Sequence, residues 1–470
     1  MDTATATRPR RLDDLPAPPG WPLLGQLLAL DPARLHQILE GWHADLGSPY
    51  LLRLGPRKVY VCADPELLQT VLRERPERYR RMRQVEDCIA EMRSNGVFSV
   101  EGEAWRPQRR LVMEGLNATH FRGFLPALQA ITARLHRRWL AAAASGATVD
   151  MTQDLIRYTV DVTTALAFGE DPNTLEDDGD VIQRQLALVF PRLMARINAP
   201  LPYWRWVRLP ADRALDRALA QIHAHIDGLI VRARRRLAQQ PGAETRNVLE
   251  AMLRARDEPG SGLSDDDLRA NVMTLLLAGE DTTAHTLAWT IYHLAQHPSW
   301  QDRLHALARE TQQGAPVAAS LDQVRALDLF EAAANESTRL KPIVPMIFLE
   351  PNVDVVLGGV AVPAGTPMFF LLRPAMLDER HFADAAAWRP DRWSHGHPVG
   401  THDTRAYVQF GAGPRVCPGR HLAGVEVRLV LAMLMSQFRV ALAVDPGTVR
   451  EVLAFTMTPD TMPVRLQMRH

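Results

Sequence analysis

One cysteine near the end of the sequence lies in a glycine-rich loop that could present a thiolate. The run is Phe410-Gly411-Ala412-Gly413-Pro414-Arg415-Val416-Cys417-Pro418-Gly419-Arg420-His421. Its glycines allow the backbone to bend close to a flat ligand. Pro418 stands where a helix could begin, and an apolar stripe at helical spacing follows it. Cys417 is therefore predicted to be an N-cap, where the positive helix end lowers the thiol pKa, and Arg415 could bind a carboxylate beside it.

A second candidate site is the run Ala278-Gly279-Glu280-Asp281-Thr282-Thr283 inside a long predicted helix. A glycine in a helix interior costs ~1 kcal/mol relative to alanine, so its presence needs a reason. Small Ala278 and Gly279 would let a ligand approach the backbone, and a threonine hydroxyl could bond back to the preceding turn. The acid–alcohol pair Asp281-Thr282 could then pass protons to a bound ligand. The alternative is a helix-packing groove beside a solvated aspartate.

Two pairs of residues at helical spacing could support such a site. Glu336 and Arg339 lie one turn apart on one helix face. Trp105 and Arg109 also share a face, so the indole N–H and the guanidinium could bind one carboxylate together. The alternatives are an ordinary surface ion pair for the first and a solvated, arginine-rich helix start for the second.

The elements that must position these residues are mainly helical, with small β-sheets. Residues from about 105 to 340 show mostly helical patterns. Ser264 and Asp267 resemble a capping box that starts the long helix, which is predicted to run to His297 before Pro298 stops it. Strands are predicted at Tyr50 to Leu54, Val59 to Cys62, Val353 to Val362, Met368 to Leu372, Phe438 to Val444 and Val464 to Met468.

Composition excludes several classes of protein. The 470 residues are 46% hydrophobic and 23% charged, which is typical of a globular chain. Lys+Arg and Asp+Glu both number 54, and nucleic-acid binders usually have a basic excess. Three cysteines are too few for a secreted disulfide framework, which favours a reducing compartment. The apolar run Trp21 to Leu30 is too short to span a membrane, which needs ~20 residues. We therefore expect a cytoplasmic protein. Its residues 1–20, with Pro16, Pro18 and Pro19, are expected to form a flexible or extended segment.

The cysteine loop matches the signature Phe-x-x-Gly-x-Arg-x-Cys-x-Gly at every fixed position, from Phe410 to Gly419. In this it resembles the cytochrome P-450 haem-thiolate monooxygenases of the soluble bacterial type. The resemblance covers nearly the whole chain and implies one P-450 domain over residues 1–470. It also implies haem b held between the long central helix and the cysteine-loop helix. Cys417 would be the axial ligand of the iron, and Phe410, Gly419 and Ala278 would contact the cofactor.

The same resemblance gives roles to the supporting residues. The segment Trp388-Arg389-Pro390-Asp391-Arg392-Trp393 is similar to the family's Pro-Glu-Arg-Phe segment. Glu336, Arg339 and Arg392 would then form a buried structural triad. Trp105, Arg109 and Arg415 would bind the haem propionates. Many relatives have a further Arg or His just beyond the Glu-x-x-Arg helix, and the segment from Ile343 to Leu349 contains neither.

The implied activity is insertion of one oxygen atom from molecular oxygen into a C–H or C=C bond. Thr282 would be the hydroxyl at the oxygen site, and Asp281 would gate proton delivery. The implied substrate pocket includes Phe98, Val344, Met346 and Phe455, which suits a terpenoid, steroid, fatty acid or aromatic natural product.

Electrons are expected from a separate ferredoxin with its reductase, or from a flavin reductase. The expected dock includes Arg106, Arg110, Arg405 and Arg420, and the protein is expected to be a monomer. Two alternatives are a peroxide-dependent peroxygenase and a non-catalytic haem sensor or carrier. Peroxygenases of this family lack the acid–alcohol pair, which argues against the first, and the sequence shows no recognisable sensor or output domain.

Overall fold

The computed structural model describes residues 8–116, 118–177, 181–199, 201–240, 244–394, 400 and 402–469. They form fifteen α-helices and thirteen short strands, so the predicted class, mainly α with small β-sheets, is confirmed. The helices are α1 Leu35–Leu46, α2 Pro65–Arg73, α3 Arg83–Glu91, α4 Trp105–Gly115, α5 Ala118–Ser145, α6 Met151–Phe168, α7 Val181–Ile197, α8 Pro210–Gln239, α9 Val248–Asp257, α10 Asp265–Gln296, α11 Pro298–Thr311, α12 Leu321–Ala326, α13 Asp328–Leu340, α14 Arg373–Met376 and α15 Arg420–Gln437. The strands are β1 Arg10–Arg11, β2 Tyr50–Leu54, β3 Arg57–Cys62, β4 Tyr79–Arg81, β5 Val149–Asp150, β6 Met346–Pro351, β7 Val355–Leu357, β8 Val360–Val362, β9 Met368–Leu371, β10 Phe438–Leu442, β11 Glu451–Leu453, β12 Met457–Pro459 and β13 Pro463–Met468.

The chain falls into two compact units. The sheet unit contains Met1–Glu86, Val344–Ala386 and Gly400–Cys417, and the helical unit contains Asp87–Ile343, Ala387–Val399 and Pro418–His470. The predicted strands all appear within a few residues of their expected bounds. The expected strand from Val353 to Val362 is divided into β7 and β8, because Gly358 and Gly359 turn the chain between them with φ of 58° and 74°.

The sheet unit is built on a five-stranded sheet in the order β2-β3-β9-β6-β4. β3 and β9 run parallel, and the other neighbouring pairs are antiparallel. A smaller sheet pairs β1, β8 and β7. The predicted extended N-terminal segment lies along this unit, since Pro16 O accepts a 2.8 Å hydrogen bond from Leu51 N and Pro18 O accepts a 2.7 Å bond from Gln26 Nε2. Residues 1–7 of the expected segment lie outside the described part.

The helical unit surrounds α10, which begins and ends as predicted. The Ser264 hydroxyl accepts a 3.1 Å hydrogen bond from Asp267 N, and the Asp267 carboxylate accepts a 2.9 Å bond from Ser264 N. This reciprocal cap satisfies two N–H groups that the helix start leaves free. The 32 residues of α10 extend ~48 Å at 1.5 Å per residue, and the helix packs against α6 and α13. Its many buried positions therefore contribute to the core of the unit.

Within the described part of the chain, none of the helices combines the length and the hydropathy that a membrane span requires.

Candidate active site

The cysteine loop in the sheet unit is bent by two glycines in the left-handed region. Gly411 has φ of 71° and Gly413 has φ of 66°, where residues with a side chain are strained. Gly413 also lies against α2, and a Cβ atom there would be 2.4 Å from Leu72 O. Cys417 N donates a 2.9 Å hydrogen bond to Phe410 O, which closes the loop. Gly413 is therefore required both by its backbone conformation and by its close packing.

Cys417 is partly exposed, whereas Cys62 and Cys88 are buried. Burial raises the pKa of Cys62, and it raises the pKa of Cys88 to about 11. A thiolate is the form that ligates metals, so neither buried cysteine suits that role. Cys417 alone among the three combines exposure with a bent, glycine-rich loop.

The helix after the cysteine starts later than the sequence predicts. α15 begins at Arg420, its N-cap is Gly419, and Pro418 and Gly419 form a turn. The prediction that Cys417 is an N-cap is therefore wrong. The chain makes one more turn before the helix starts, and the thiol is presented by the loop itself.

Other predicted contacts of the sheet unit are placed as follows. Arg415 lies partly buried in the short 3₁₀ turn Gly413–Arg415, and the Phe410 side chain is 37% exposed. Met346 opens β6 and is buried, where it pairs with Leu371 of β9, and Val344 is partly exposed just before that strand. These residues lie in loops and at a strand end, where binding residues are commonly found.

The centre of α10 carries the acid–alcohol pair. Ala278 is exposed, and Asp281 and Thr282 are partly buried. The Thr282 hydroxyl donates a 2.9 Å hydrogen bond to Ala278 O, the back-bond that the sequence predicts. Burial raises the pKa of Asp281 to about 6. An acid whose pKa is about 6 thus directly precedes Thr282 in the middle of the helix.

Gly279 allows two helices to pack closely, and it does not leave the room for a ligand that the sequence suggests. A Cβ atom there would lie 2.4 Å from Thr163 Oγ1 and 2.9 Å from Thr163 Cγ2, on the neighbouring helix α6. The Thr159 hydroxyl, one turn earlier on α6, donates a 2.7 Å hydrogen bond to Glu280 O. The expectation that Gly279 leaves room for a ligand is therefore wrong, because α6 occupies that space. The alternative of a packing groove holds at Gly279, while Ala278 remains exposed.

Trp105 and Arg109 begin α4 on one face, as their spacing predicts. Trp105 is buried, and Arg109 is partly buried. Between them Gln108 Nε2 donates a 2.9 Å hydrogen bond to Asp267 Oδ1, and Gln108 Oε1 accepts a 2.9 Å bond from Asn271 Nδ2. Both amides are buried. They fix α4 to the start of α10, and with it the direction of the two predicted propionate ligands.

The same asparagine positions the loop before α4. Asn271 Oδ1 accepts a 2.8 Å hydrogen bond from Val97 N, next to Phe98. The sequence analysis missed Gln108 and Asn271. In the sequence, a glutamine or asparagine that will be buried and hydrogen-bonded cannot be distinguished from an exposed polar residue of a helix, because its partner is not yet known.

Phe98 and Phe455, both predicted to line the substrate pocket, are brought into contact. Their ring centroids lie 5.8 Å apart in an edge-to-face arrangement. Phe190 of α7 joins them, stacked on Phe455 at 4.6 Å with an interplanar angle of 21°. Phe190 was not predicted, because it lies in the chain far from both partners. These three rings are called the aromatic cluster below.

The predicted triad is present and fully buried. Glu336 accepts hydrogen bonds from Arg339 Nε and Nη2, each at 2.9 Å, and from Arg392 Nε at 3.0 Å. Arg389 N and Trp393 Nε1 donate to the same carboxylate at 2.8 and 2.9 Å. Burial alone would raise the pKa of Glu336, but the bonds and charges of these donors, Arg339 foremost, hold it below its usual value. The carboxylate is therefore ionised, and its partners satisfy it.

The sequence profile of the Cytochrome P-450 family matches residues 15–464. The chain belongs to this family. Cyclooctat-9-en-7-ol 5-monooxygenase of Streptomyces melanosporofaciens is 31% identical over 440 residues, which cover 92% of this chain and 90% of that protein. Pentalenene oxygenase of Streptomyces avermitilis is 27% identical over 454 residues, covering 96% and 97%. Human mitochondrial 25-hydroxyvitamin D-1 alpha hydroxylase is 28% identical over 480 residues, covering 96% and 91%. The chain is thus an oxidoreductase of the P-450 monooxygenase family.

The residues of this cytochrome P-450 fit the haem that the family implies. The sheet unit offers the partly exposed Cys417 on a loop bent by two glycines, and the partly buried Arg415 lies two residues earlier. The helical unit offers Trp105, Arg109 and the exposed methyl of Ala278. A soft thiolate for iron and cationic groups for propionates form the donor set that haem requires.

Proposed function

We propose that this cytochrome P-450 uses haem b to insert one atom of molecular oxygen into a C–H or C=C bond of a hydrophobic ring compound of the terpenoid class. The observation that carries the proposal is the loop of Cys417, the partly exposed cysteine of the three. Cys417 would hold the haem iron through its thiolate, with Phe410 and Gly419 fixing the loop around it. Trp105, Arg109 and Arg415 are proposed to bind the propionates.

The bound haem supplies oxygen activation at its iron, which a thiolate ligand favours by donating electron density. The protein supplies the protons. Asp281, with a pKa of about 6, exchanges a proton readily near neutral pH. The Thr282 hydroxyl now donates to Ala278 O, and turning its proton toward a stronger acceptor costs about 1 kcal/mol, the net value of one hydrogen bond. Thr282 is therefore proposed to hold and pass on a proton at its hydroxyl, and Asp281 is proposed to replenish that proton.

The terpenoid class is proposed from the aromatic cluster and from two relatives. Phe98 and Phe455 are partly exposed and present apolar faces, which suit a substrate without charge. Two bacterial relatives are named for cyclooctat-9-en-7-ol and pentalenene. A rigid ring compound also loses little conformational entropy of its own on binding.

Glu336, Arg339 and Arg392 are proposed to hold the fold rather than to react. Their side chains are fully buried, and both arginines are paired with the Glu336 carboxylate. Members of the family generally use separate redox partners, and we propose a ferredoxin or flavin reductase here. Arg106, Arg110, Arg405 and Arg420 are all exposed and are candidates for the docking surface. Arg405 is the weakest candidate, because Asp403 already accepts a 2.9 Å bond from its Nε.

The ligation is tested by the spectrum of the reduced, carbon-monoxide-treated protein. Wild type should show the long-wavelength Soret band of thiolate-ligated haem, and Cys417→Ala should lack it. Cys88→Ala is the matched control, since that thiol is buried, and it should keep the band. A wild type without the band, or a Cys417→Ala variant that retains it, would refute the assignment.

The reaction is tested with a ferredoxin, its reductase, NADPH and isotopically labelled molecular oxygen. Pentalenene, lauric acid and progesterone represent the terpenoid, fatty acid and steroid classes. We expect the terpene product to gain one labelled oxygen atom. Turnover of lauric acid or progesterone alone would contradict the terpenoid class. Equal turnover with hydrogen peroxide in place of the reductase system would favour the peroxygenase alternative.

A further inference from the structure

His285 lies on α10 three residues after Thr282, and its side chain faces the hairpin formed by β11 and β12. His285 Nδ1 and Thr456 Oγ1 are 2.9 Å apart, and both residues are buried. Burial lowers the pKa of His285 to about 4, so the ring is neutral at physiological pH. A neutral imidazole and a hydroxyl can share this hydrogen bond in either direction.

Two further hydrogen bonds hold the hairpin to the rest of the helical unit. Trp289, one turn after His285 on the same face of α10, donates a 3.2 Å hydrogen bond from Nε1 to Met457 O. Met457 N donates a 2.8 Å bond to Ile343 O. These contacts hold the start of β12. The bond from His285 reaches the turn itself, at Thr456.

The residue beside Thr456 is Phe455, the centre of the aromatic cluster. Its ring stacks on Phe190 at 4.6 Å and meets the edge of Phe98 at 5.8 Å. Phe455 is partly exposed, so packing alone does not lock its ring. Because adjacent residues share a peptide plane, a fixed Thr456 side chain restricts the backbone from which the Phe455 ring projects.

We propose that His285 is a positioning residue for substrate recognition: its hydrogen bond to Thr456 holds the Phe455 ring against Phe190 and Phe98, and so sets the shape of the apolar surface that a ring compound meets. This inference rests on the proposed function for the role of the aromatic cluster. α10 then carries both the acid–alcohol pair and, one turn later, the contact that shapes the surface for the substrate.

The position of the ring is tested first, in a way that does not depend on turnover. Haem-loaded protein is labelled with fluorophenylalanine and kept diamagnetic in the reduced, carbon-monoxide-bound form. The resonance of residue 455 is assigned by its loss in Phe455→Leu. Thr456→Val, which replaces the hydroxyl by a methyl of similar size, should shift or broaden that resonance. Thr458→Val is the matched control, because the Thr458 hydroxyl donates only within the hairpin, to Pro459 O at 3.1 Å, and it should leave the resonance unchanged.

The effect on binding is tested with imidazole and 1-phenylimidazole, which both ligate haem iron but differ by one apolar ring. His285→Leu and Thr456→Val should weaken the binding of 1-phenylimidazole by about three- to tenfold, the value of one aromatic contact. The affinity for imidazole should stay unchanged. His285→Asn keeps a polar side chain near the Nδ1 position and should restore most of the affinity.

The outcomes separate this inference from the proposed function. A missing long-wavelength Soret band in wild type refutes the proposed function, whereas the fluorine spectra still report the ring. An unchanged Phe455 resonance in Thr456→Val refutes the positioning role. A shifted resonance with an unchanged ratio of the two imidazole affinities refutes the role in recognition. If His285→Leu does not fold, the near-isosteric Thr456→Val decides the question by itself.

Discussion

The side-chain hydroxyl of Thr159 on α6 donates a hydrogen bond of 2.7 Å to the main-chain carbonyl of Glu280 on α10. This bond joins the two helices immediately before the acid–alcohol pair of Asp281 and Thr282. Four residues after Thr159, Thr163 fills the space left by the missing side chain of Gly279. Helix α6 thus packs against the middle of α10 at Gly279 and Glu280, while Ala278 stays exposed. This arrangement explains why a helix keeps a glycine at its centre.

Gly279→Ala is expected to destabilise the protein, although alanine favours helix by ~1 kcal/mol over glycine. The added Cβ would lie 2.4 Å from Thr163 Oγ1 and 2.9 Å from Cγ2. Overpacking of this kind costs ~1–3 kcal/mol. Thr163→Ala should relieve the clash, so the double variant should recover most of the loss in a denaturant-unfolding cycle. Equal destabilisation with and without Thr163→Ala would show that α6 is not the cause.

Glu336→Gln is expected to destabilise the fold and lower the haem content of the purified protein. It leaves Arg339 and Arg392 buried without their counter-charge, and breaking such a cluster costs ~3–5 kcal/mol. The control is Asp391→Asn, in the neighbouring segment, because its ion pair with Arg303 is partly exposed and solvent-screened, and contributes at most ~1 kcal/mol. Unfolding free energies and haem-to-protein ratios of both variants measure the difference. Similar losses in the two variants would contradict a special role for the buried triad.

Features that depend on residues close together in the chain are predicted best from the sequence. The bounds of α10 follow from the capping box at Ser264 and from Pro298, and the triad follows from a family motif. The start of α15 was misplaced because Pro418 is acceptable both in a first helical turn and in the turn that the chain makes here. The partners of Gly279, Gln108 and Phe455 could not be predicted. Each lies more than 100 residues away in the chain, and only the packed fold brings it close.

Thr282→Ala is expected to uncouple electron consumption from product formation, with the lost electrons appearing as hydrogen peroxide. The variant lacks the hydroxyl beside Asp281 that is proposed to deliver protons. Thr286→Ala is the matched control, since its hydroxyl makes the same back-bond one turn later, to Thr282 O at 2.9 Å. NADPH consumption, peroxide and product are measured together. Unchanged coupling in Thr282→Ala, or equal uncoupling in Thr286→Ala, would count against the proton-delivery role.

Glu426 on α15 gives a prediction about stability and pH. It is buried, its Oε2 has no hydrogen-bond partner among the described residues, and burial raises its pKa from 4.5 to about 8. Between these two pH values the folded protein keeps the proton and the unfolded chain releases it. The free energy of unfolding should therefore fall as pH rises from about 4.5 to about 8.

Glu426→Gln removes this titration and should flatten that decline, leaving the variant more stable than wild type at pH 8 but not at pH 5. The size is expected to be a few kcal/mol, because each unit of pKa shift corresponds to ~1.4 kcal/mol. Burial lowers the pKa of His285 to about 4 and that of His293 to about 3, from an ordinary value of 6.5. These two residues therefore make the free energy of unfolding fall as pH drops below 6.5, which is the opposite trend. Their effect is the same in wild type and in Glu426→Gln. The difference between the two denaturation curves therefore isolates Glu426. Parallel curves from pH 5 to pH 8 would mean that this carboxyl is already ionised in the folded protein, with a partner for its charge.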